Sequence, residues 1–272
     1  MGLSNLIVKE QILKTVVRSG NGGAVWVPKS WLGEKVIVIL PKKSELPLRE
    51  KIIHLLEPYL KDIICVAIYG SYSRDEQTKN SDVDVLVLTN RNIKIDIKND
   101  HLDIITFSVD KCEIAIEKNP FYYQIVQEAE ALLNSHVLEK LKKIEIKKES
   151  LKNYLKETQD HIRSNKELIE LDKLDSEYVK SYSVIYSSIL RLRGLFVIEC
   201  ILNKDSFSNK KFKKKLINLG LSEKEFKDSY SLYQIMRNND KTKIEIKILT
   251  AEKLLNISEK EIDLLTRRIN GK

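Results

Sequence analysis

Cysteine is scarce in this chain. Cys65, Cys112 and Cys200 are odd in number and far apart. They offer neither a disulfide framework nor metal-ligand spacing, so each reads as a small buried hydrophobe in a reducing compartment. No apolar run approaches the roughly 20 residues that cross a bilayer. The start, Met1-Gly2-Leu3-Ser4-Asn5, lacks the basic-then-apolar form of a secretory leader. These absences exclude a disulfide scaffold and a membrane span, and they predict a cytoplasmic protein. Internal repeats and long low-complexity tracts are also missing.

What is present fits a folded chain. The length of 272 residues is enough for two ordinary domains or one large one with an appendage, and 42% hydrophobic and 32% charged residues fit a globular chain better than a disordered one. The net charge of +8 is unevenly spread. Residues 1–60 carry 9 Lys and Arg against 5 Asp and Glu, and residues 61–146 carry 11 against 15. Residues 147–272 carry 27 against 19. The basic last part suits either a solvated helical surface or an acidic partner such as RNA.

The pattern predicts an α+β protein in three parts: residues 1–42, 43–146 and 147–272. In the first, Ile12–Arg18 and Ala24–Val27 read as strands around the turn Ser19-Gly20-Asn21-Gly22-Gly23, and Lys35–Leu40 reads as a third. In the second, an amphipathic helix is expected at 48–61. Strands follow at Ile63–Ile68, Asp82–Thr89 and 101–107, with a short helix starting within Ser71–Glu76. Residues 112–118 and 120–134 read as largely helical. From about 147 onward the chain reads as a helical bundle, with Tyr182–Leu202 as its core helix.

Chemistry concentrates in the middle part. Gly70-Ser71 follows an apolar run, Asp82-Val83-Asp84 opens the next, and Asp103 lies in a third. Residues i and i+2 of a strand share a face, so Asp82 and Asp84 would project together, and a neighbouring strand would bring Asp103 beside them. Three clustered carboxylates repel one another and call for a cation, and hard oxygen ligands suit Mg²⁺. Asp96 and Asp100 are rivals of Asp103 for the third place, Asp96 lying in another strand-like run. Gly70 lets the backbone approach a phosphate without a Cβ in the way. Ser71 offers a hydroxyl and amides. Arg74 and Lys79 are either phosphate contacts or exposed loop charges.

These elements, in this order, resemble the DNA polymerase beta-like nucleotidyltransferase superfamily, and Gly70-Ser71-Tyr72-Ser73-Arg74 resembles its minimal members. The resemblance runs from about residue 48 to 135 and includes Asn119-Pro120-Phe121-Tyr122. It implies a mixed sheet flanked by helices, with Asp82, Asp84 and Asp103 as catalytic metal ligands. It also implies transfer of a nucleoside monophosphate, AMP being the expected one, from an NTP to a hydroxyl with release of pyrophosphate. One departure stands out. The family often places Arg-Gly or Arg-Arg-Gly after Gly-Ser-x-x, whereas Arg74 is followed by Asp75 and Glu76. Acids turned toward a phosphate site would weaken nucleotide binding.

The first 42 residues, with Val25-Trp26-Val27-Pro28-Lys29 and Leu32-Gly33-Glu34-Lys35-Val36, resemble AbrB-like swapped hairpins. That likeness implies a homodimer and DNA binding, with Arg18 and Lys29 as candidate phosphate contacts; the alternative is a unit that only dimerises the protein or packs on its neighbour. Residues 150–265 are similar to HEPN bundles, but Arg237 leads into Asn238–Lys243 without a histidine, and His54, His101, His136 and His161 lie elsewhere. Ribonuclease activity is therefore not expected, and Arg237 is either structural or a substrate contact. Protein or RNA is the expected acceptor, and a toxin–antitoxin setting follows by analogy alone. The alternative is a dimeric DNA-binding regulator whose middle domain senses nucleotide without turnover. A scaffold with neither activity is a third reading.

Overall fold

The computed structural model describes residues 10, 12, 14–38, 46–78, 81–97, 101–237 and 244–271. It is an α+β protein. A two-stranded hairpin comes first, then a mixed four-stranded sheet with helices, then a helical bundle.

The hairpin pairs β1 (Val17–Ser19) with β2 (Gly22–Ala24), Arg18 opposite Gly23. Gly20 takes φ +56° at the turn. It is shorter than the sequence predicts: residues 25–28 and 34–38 are not strand, and a 3-10 turn spans Lys29–Trp31. Residues 39 and 40, the end of the expected third strand, lie outside the described residues. An extended segment needs a neighbouring strand for its backbone donors and acceptors, and among the described residues none lies alongside 34–38. Trp26, Leu32, Ile37 and Val38 are correspondingly exposed.

The sheet has the order β5-β4-β3-β6. β3 (Ile63–Tyr69) and β4 (Val83–Thr89) are central and antiparallel. β5 (Leu102–Ser108) runs parallel to β4, and β6 (Glu130–Leu133) runs antiparallel to β3. The central strands are apolar on both faces because both faces are covered. Cys65, Ala67, Tyr69, Leu86 and Leu88 pack with Cys112, Ile116 and Val126 on one side. These last three belong to α2 (Val109–Lys118) and α3 (Pro120–Glu128). On the other side Val66, Val83, Val85 and Val87 meet Ile52 and Leu56 of α1 (Leu46–Leu56).

Two local expectations fail for physical reasons. Residues 130–133 are strand, not helix, because β3 presents an unpaired edge that the extended run Ala131-Leu132-Leu133 satisfies. Ser71–Glu76 forms a turn rather than a helix start. Asp75 sits there at φ +53°, outside the helical region, and the Glu76 amide donates to the Ser71 carbonyl at 2.9 Å.

After α4 (Ser135–Leu141) the chain enters the bundle: α5 (Lys148–Lys173), α6 (Tyr182–Asn203), α7 (Asn209–Asn218), α8 (Glu223–Arg237) and α9 (Ile248–Ile269). Helix α6 is its apolar centre, as the sequence predicts, with Ile185, Ile189 and Ile198 fully buried. Asp172, near the end of α5, accepts the Lys180 and Ser181 amides at 2.8 Å each and so fixes the chain leading into α6. The bundle seats on the sheet domain through α3 and α6, and Phe121 meets Tyr154 edge-on at 5.6 Å.

Gly194 of α6 makes this packing possible. A Cβ there would lie 1.9 Å from the Tyr154 hydroxyl and 2.3 Å from Cζ. A Gly194→Ala variant is therefore expected to lose about 2–3 kcal/mol, because a buried ring must move. Urea unfolding of the full chain, read from the helical signal, measures it. An unchanged midpoint would contradict the close approach.

Candidate active site

One end of the sheet gathers the charged residues. Register sets Tyr69 opposite Asp84 and Asp84 opposite Asp103, so these three side chains form a row across β3, β4 and β5. They share the face that carries Leu86, Leu88, Ile105 and Phe107. Neighbouring strands stand about 4.8 Å apart, which brings the two carboxylates close. Asp84 is half-buried and Asp103 is exposed.

The electrostatics follow from this row. Burial first, and the negative charge of Asp103 next, push the Asp84 carboxyl up to about 6. Arg237 and Arg74 pull in the other direction. The Tyr69 phenol is raised well above its ordinary value by burial, then by Asp84 and Asp103. Arg237 is the last residue of α8, so the bundle contributes a positive charge to the field of the sheet end.

Asp82 is exposed and stands just outside β4, where the ladder begins at Val83. Among the described residues no group of three or more His, Cys, Asp or Glu is close enough to hold a metal ion. The strand register holds Asp84 and Asp103 together, while Asp82 is not fixed by it. The pair alone fits a divalent cation by the chemistry of its donors. It consists of carboxylate oxygens on adjacent strands, and at Asp84 burial and the charge of Asp103 already disfavour the charged state, an imbalance a hard cation relieves. Asp96 is exposed and outside any strand, with its backbone against the Tyr59 hydroxyl at 3.4 Å. Asp100 lies outside the described residues, as does Lys79.

Gly70 follows β3 at φ +75° and packs directly on Asp84. A Cβ would stand 2.0 Å from Asp84 Oδ2, so glycine is what lets the turn lie over the carboxylate. The Ser73 hydroxyl closes the turn by donating to the Gly70 carbonyl at 3.0 Å. Ser71, next in the turn, is half-buried.

The charged residues around the turn differ from a simple phosphate clamp. The Gly70 amide donates to Glu128 Oε1 at 2.9 Å, and Arg74 Nη1 donates to the same oxygen at 2.7 Å. Gln124 donates to the other oxygen at 3.1 Å. Arg74 also pairs with Glu76 at 3.2 Å, stacks over the Phe207 ring at 5.2 Å, and is 14% exposed. Arg74 is thus committed to two carboxylates. Glu76 is bonded on its other side to the start of α7. It accepts the Ser208 hydroxyl at 2.6 Å and the Asn209 amide at 3.1 Å. Burial alone would raise its carboxyl, but the bonds from Ser208, Asn209 and Arg74 hold it below the ordinary range.

Sequence reasoning missed Glu128. It ends α3, 54 residues from Arg74 and 58 from Gly70, and no linear spacing connects them. The one local hint is Asn119-Pro120, which starts α3 firmly: the Asn119 side chain accepts the Phe121 amide at 2.9 Å.

The cysteines sit where their scarcity implied. All three are buried and unbonded to one another, and burial pushes Cys65 and Cys112 up to about 12 and Cys200 to about 11. No helix among the described residues is long and apolar enough to cross a membrane.

Residues 50–137 match the family model described as "Polymerase beta, Nucleotidyltransferase". The matched segment runs from α1 through the sheet into α4 and contains the Gly70 turn, all three aspartates and Glu128. It is a polymerase beta-like nucleotidyltransferase domain, followed by a helical C-terminal region. No curated protein matches the chain.

Proposed function

From this polymerase beta-like nucleotidyltransferase domain, we propose that the protein transfers a nucleoside monophosphate, AMP for preference, from an NTP to a hydroxyl of a protein or RNA acceptor. The observation that carries the reading is the pairing of Asp84 with Asp103 at the sheet end, under the Gly70 turn. The acceptor oxygen bonds to the α-phosphorus, the bond from that phosphorus to the α,β-bridging oxygen breaks, and pyrophosphate leaves. Asp103, exposed beside Asp84, takes the proton of the attacking hydroxyl. Asp84 and Asp103, joined by Asp82, would hold Mg²⁺, which supplies charge neutralisation for the triphosphate. Gly70 and Ser71 give the phosphates room and donors. Arg74 serves the nucleotide by holding the turn through Glu128. The basic surface of the C-terminal region favours an acidic acceptor.

The test is to incubate the full chain with each α-labelled NTP, Mg²⁺ and a cell extract, and to measure pyrophosphate and labelled product. Label in RNA or protein is expected, lost on chelation and lost in the Asp82→Asn/Asp84→Asn double variant. Nucleotide binding with no pyrophosphate from any NTP would instead favour the DNA-binding regulator. DNA affinity unchanged in the double variant would add to that alternative.

A further inference from the structure

Glu76 joins two parts of the chain that are 132 residues apart. On one side it faces the start of α7. The Ser208 hydroxyl donates to Oε1 at 2.6 Å, the Asn209 amide to Oε2 at 3.1 Å, and the Lys210 amide to Oε1 at 3.4 Å. These amides are among the donors a helix leaves unpaired at its first turn, and the positive end of the helix dipole favours a carboxylate there. On the other side Glu76 pairs with Arg74 at 3.2 Å. Arg74 in turn holds Glu128 Oε1 at 2.7 Å, the same oxygen that accepts the Gly70 amide at 2.9 Å.

The side chains of Glu76, Arg74 and Glu128 are 8%, 14% and 9% exposed, so the charges are largely shielded from water. The link has a second strand through Phe207, the residue before Ser208. Arg74 covers its ring at 5.2 Å and Arg193 of α6 at 5.1 Å. Arg193 then donates to Asn209 Oδ1 at 2.8 Å and to the Tyr230 hydroxyl at 2.9 Å. A continuous polar path therefore runs from the Gly70 amide to the interior of the bundle. Its only carboxylate bonded to both domains is Glu76, among the described residues.

We infer that Glu76 is a positioning residue through which the helical bundle sets the conformation of the Gly70–Ser71 nucleotide turn. The bundle is then part of the nucleotide site, not merely an appended acceptor domain. This rests on the nucleotidyltransferase reading for its ligand but not for its geometry. The turn is not helical and Asp75 stands at positive φ, so the local chain does little to fix Arg74. Its position comes from Glu128 and from the α7 start acting through Glu76.

The experiment approaches the link from the bundle side. Ser208→Ala removes one donor to Glu76, and the α7 cap that accepts the Lys211 amide at 3.4 Å, while leaving the residues of the turn unchanged, and Glu76→Gln removes the charge. Affinity for Mg–ATP is measured by calorimetry on the full chain, alongside kcat, KM and the melting temperature. Both variants should weaken Mg–ATP binding, Glu76→Gln by about tenfold, and the double variant should be no weaker than Glu76→Gln alone. Hydrogen exchange at the amides of residues 70–76 should quicken in Ser208→Ala. A lower melting temperature with unchanged nucleotide affinity and unchanged exchange at 70–76 would reduce the link to domain glue and overturn the inference. If the parent chain binds no NTP, the transferase reading fails by itself, and the exchange measurement still decides: quickened exchange supports the coupling and unchanged exchange rejects it.

Discussion

An Asp84→Asn variant should be more stable than the parent at pH 7 and release pyrophosphate about a thousandfold more slowly or not at all. Both effects have one cause. Burial and Asp103 push the Asp84 carboxyl up to about 6, from an ordinary 3.8. A raised carboxyl binds its proton more tightly in the folded chain than in the unfolded one. Between pH 3.8 and 6 the folded state thus holds more protons, and this contribution to stability falls as pH rises. Above pH 6 Asp84 is charged in both states and the folded state bears the full penalty. Below 3.8 it is neutral in both and the penalty is gone.

After discounting for solvent at this half-buried site, the penalty at pH 7 is about 1–2 kcal/mol. Asparagine keeps the shape and removes the charge. The variant's gain should appear at pH 7 as a rise of roughly 2–6 °C in melting temperature and shrink toward zero near pH 4. Calorimetry of both proteins across this range checks it. A variant that melts at or below the parent at pH 7 would refute the electrostatic account. Stability sacrificed for a charge at this position is what a cation-binding role requires.

A Gly70→Ala variant should be damaged twice. Its φ of +75° disfavours any residue with a Cβ by about 1 kcal/mol. The added methyl would also lie 2.0 Å from Asp84 Oδ2 and 2.9 Å from Cγ. Asp84 must then swing away from Asp103, or the turn must lift off the sheet. The expected result is a loss of about 2–3 kcal/mol in stability and about a hundredfold or more in kcat/KM. The two components separate in an Asp84→Ala background, where the contact is removed. There the same glycine substitution should lower stability by only about 1 kcal/mol, the backbone part. An equal loss in both backgrounds would mean that the glycine and the carboxylate do not touch.

Much of the sheet was legible because its signals are local. Ile63–Ile68 and Asp82–Thr89 are long apolar runs, and they became the two central strands within a residue or two. Tyr182–Leu202 is the most apolar segment of the last part, interrupted by Arg191, Arg193 and Glu199, and it became the bundle's central helix. The alternation of side chains along a strand also sufficed to put Asp84 and Asp103 on a shared face once the strands were neighbours. The failures share a different character. Residues 130–133 became strand only because β3 offered an edge. The expected strand from residue 35 found no pairing partner among the described residues. Ser71–Glu76 did not become helix because its ends are held by other parts of the chain.

The sequence by itself determined the order of Gly-Ser turn and acids, the apolar strands between them, and the helical character of the last hundred or so residues, since each follows from contacts between near neighbours along the chain. Tertiary structure alone decided that Glu128 holds the Gly70 amide, that Arg74 serves two carboxylates, and that Glu76 turns away to receive α7. Those choices depend on which distant donor a charge meets when it leaves water. No local spacing encodes that meeting, because all of these partners except Arg74 and Glu76 lie 54 to 132 residues apart.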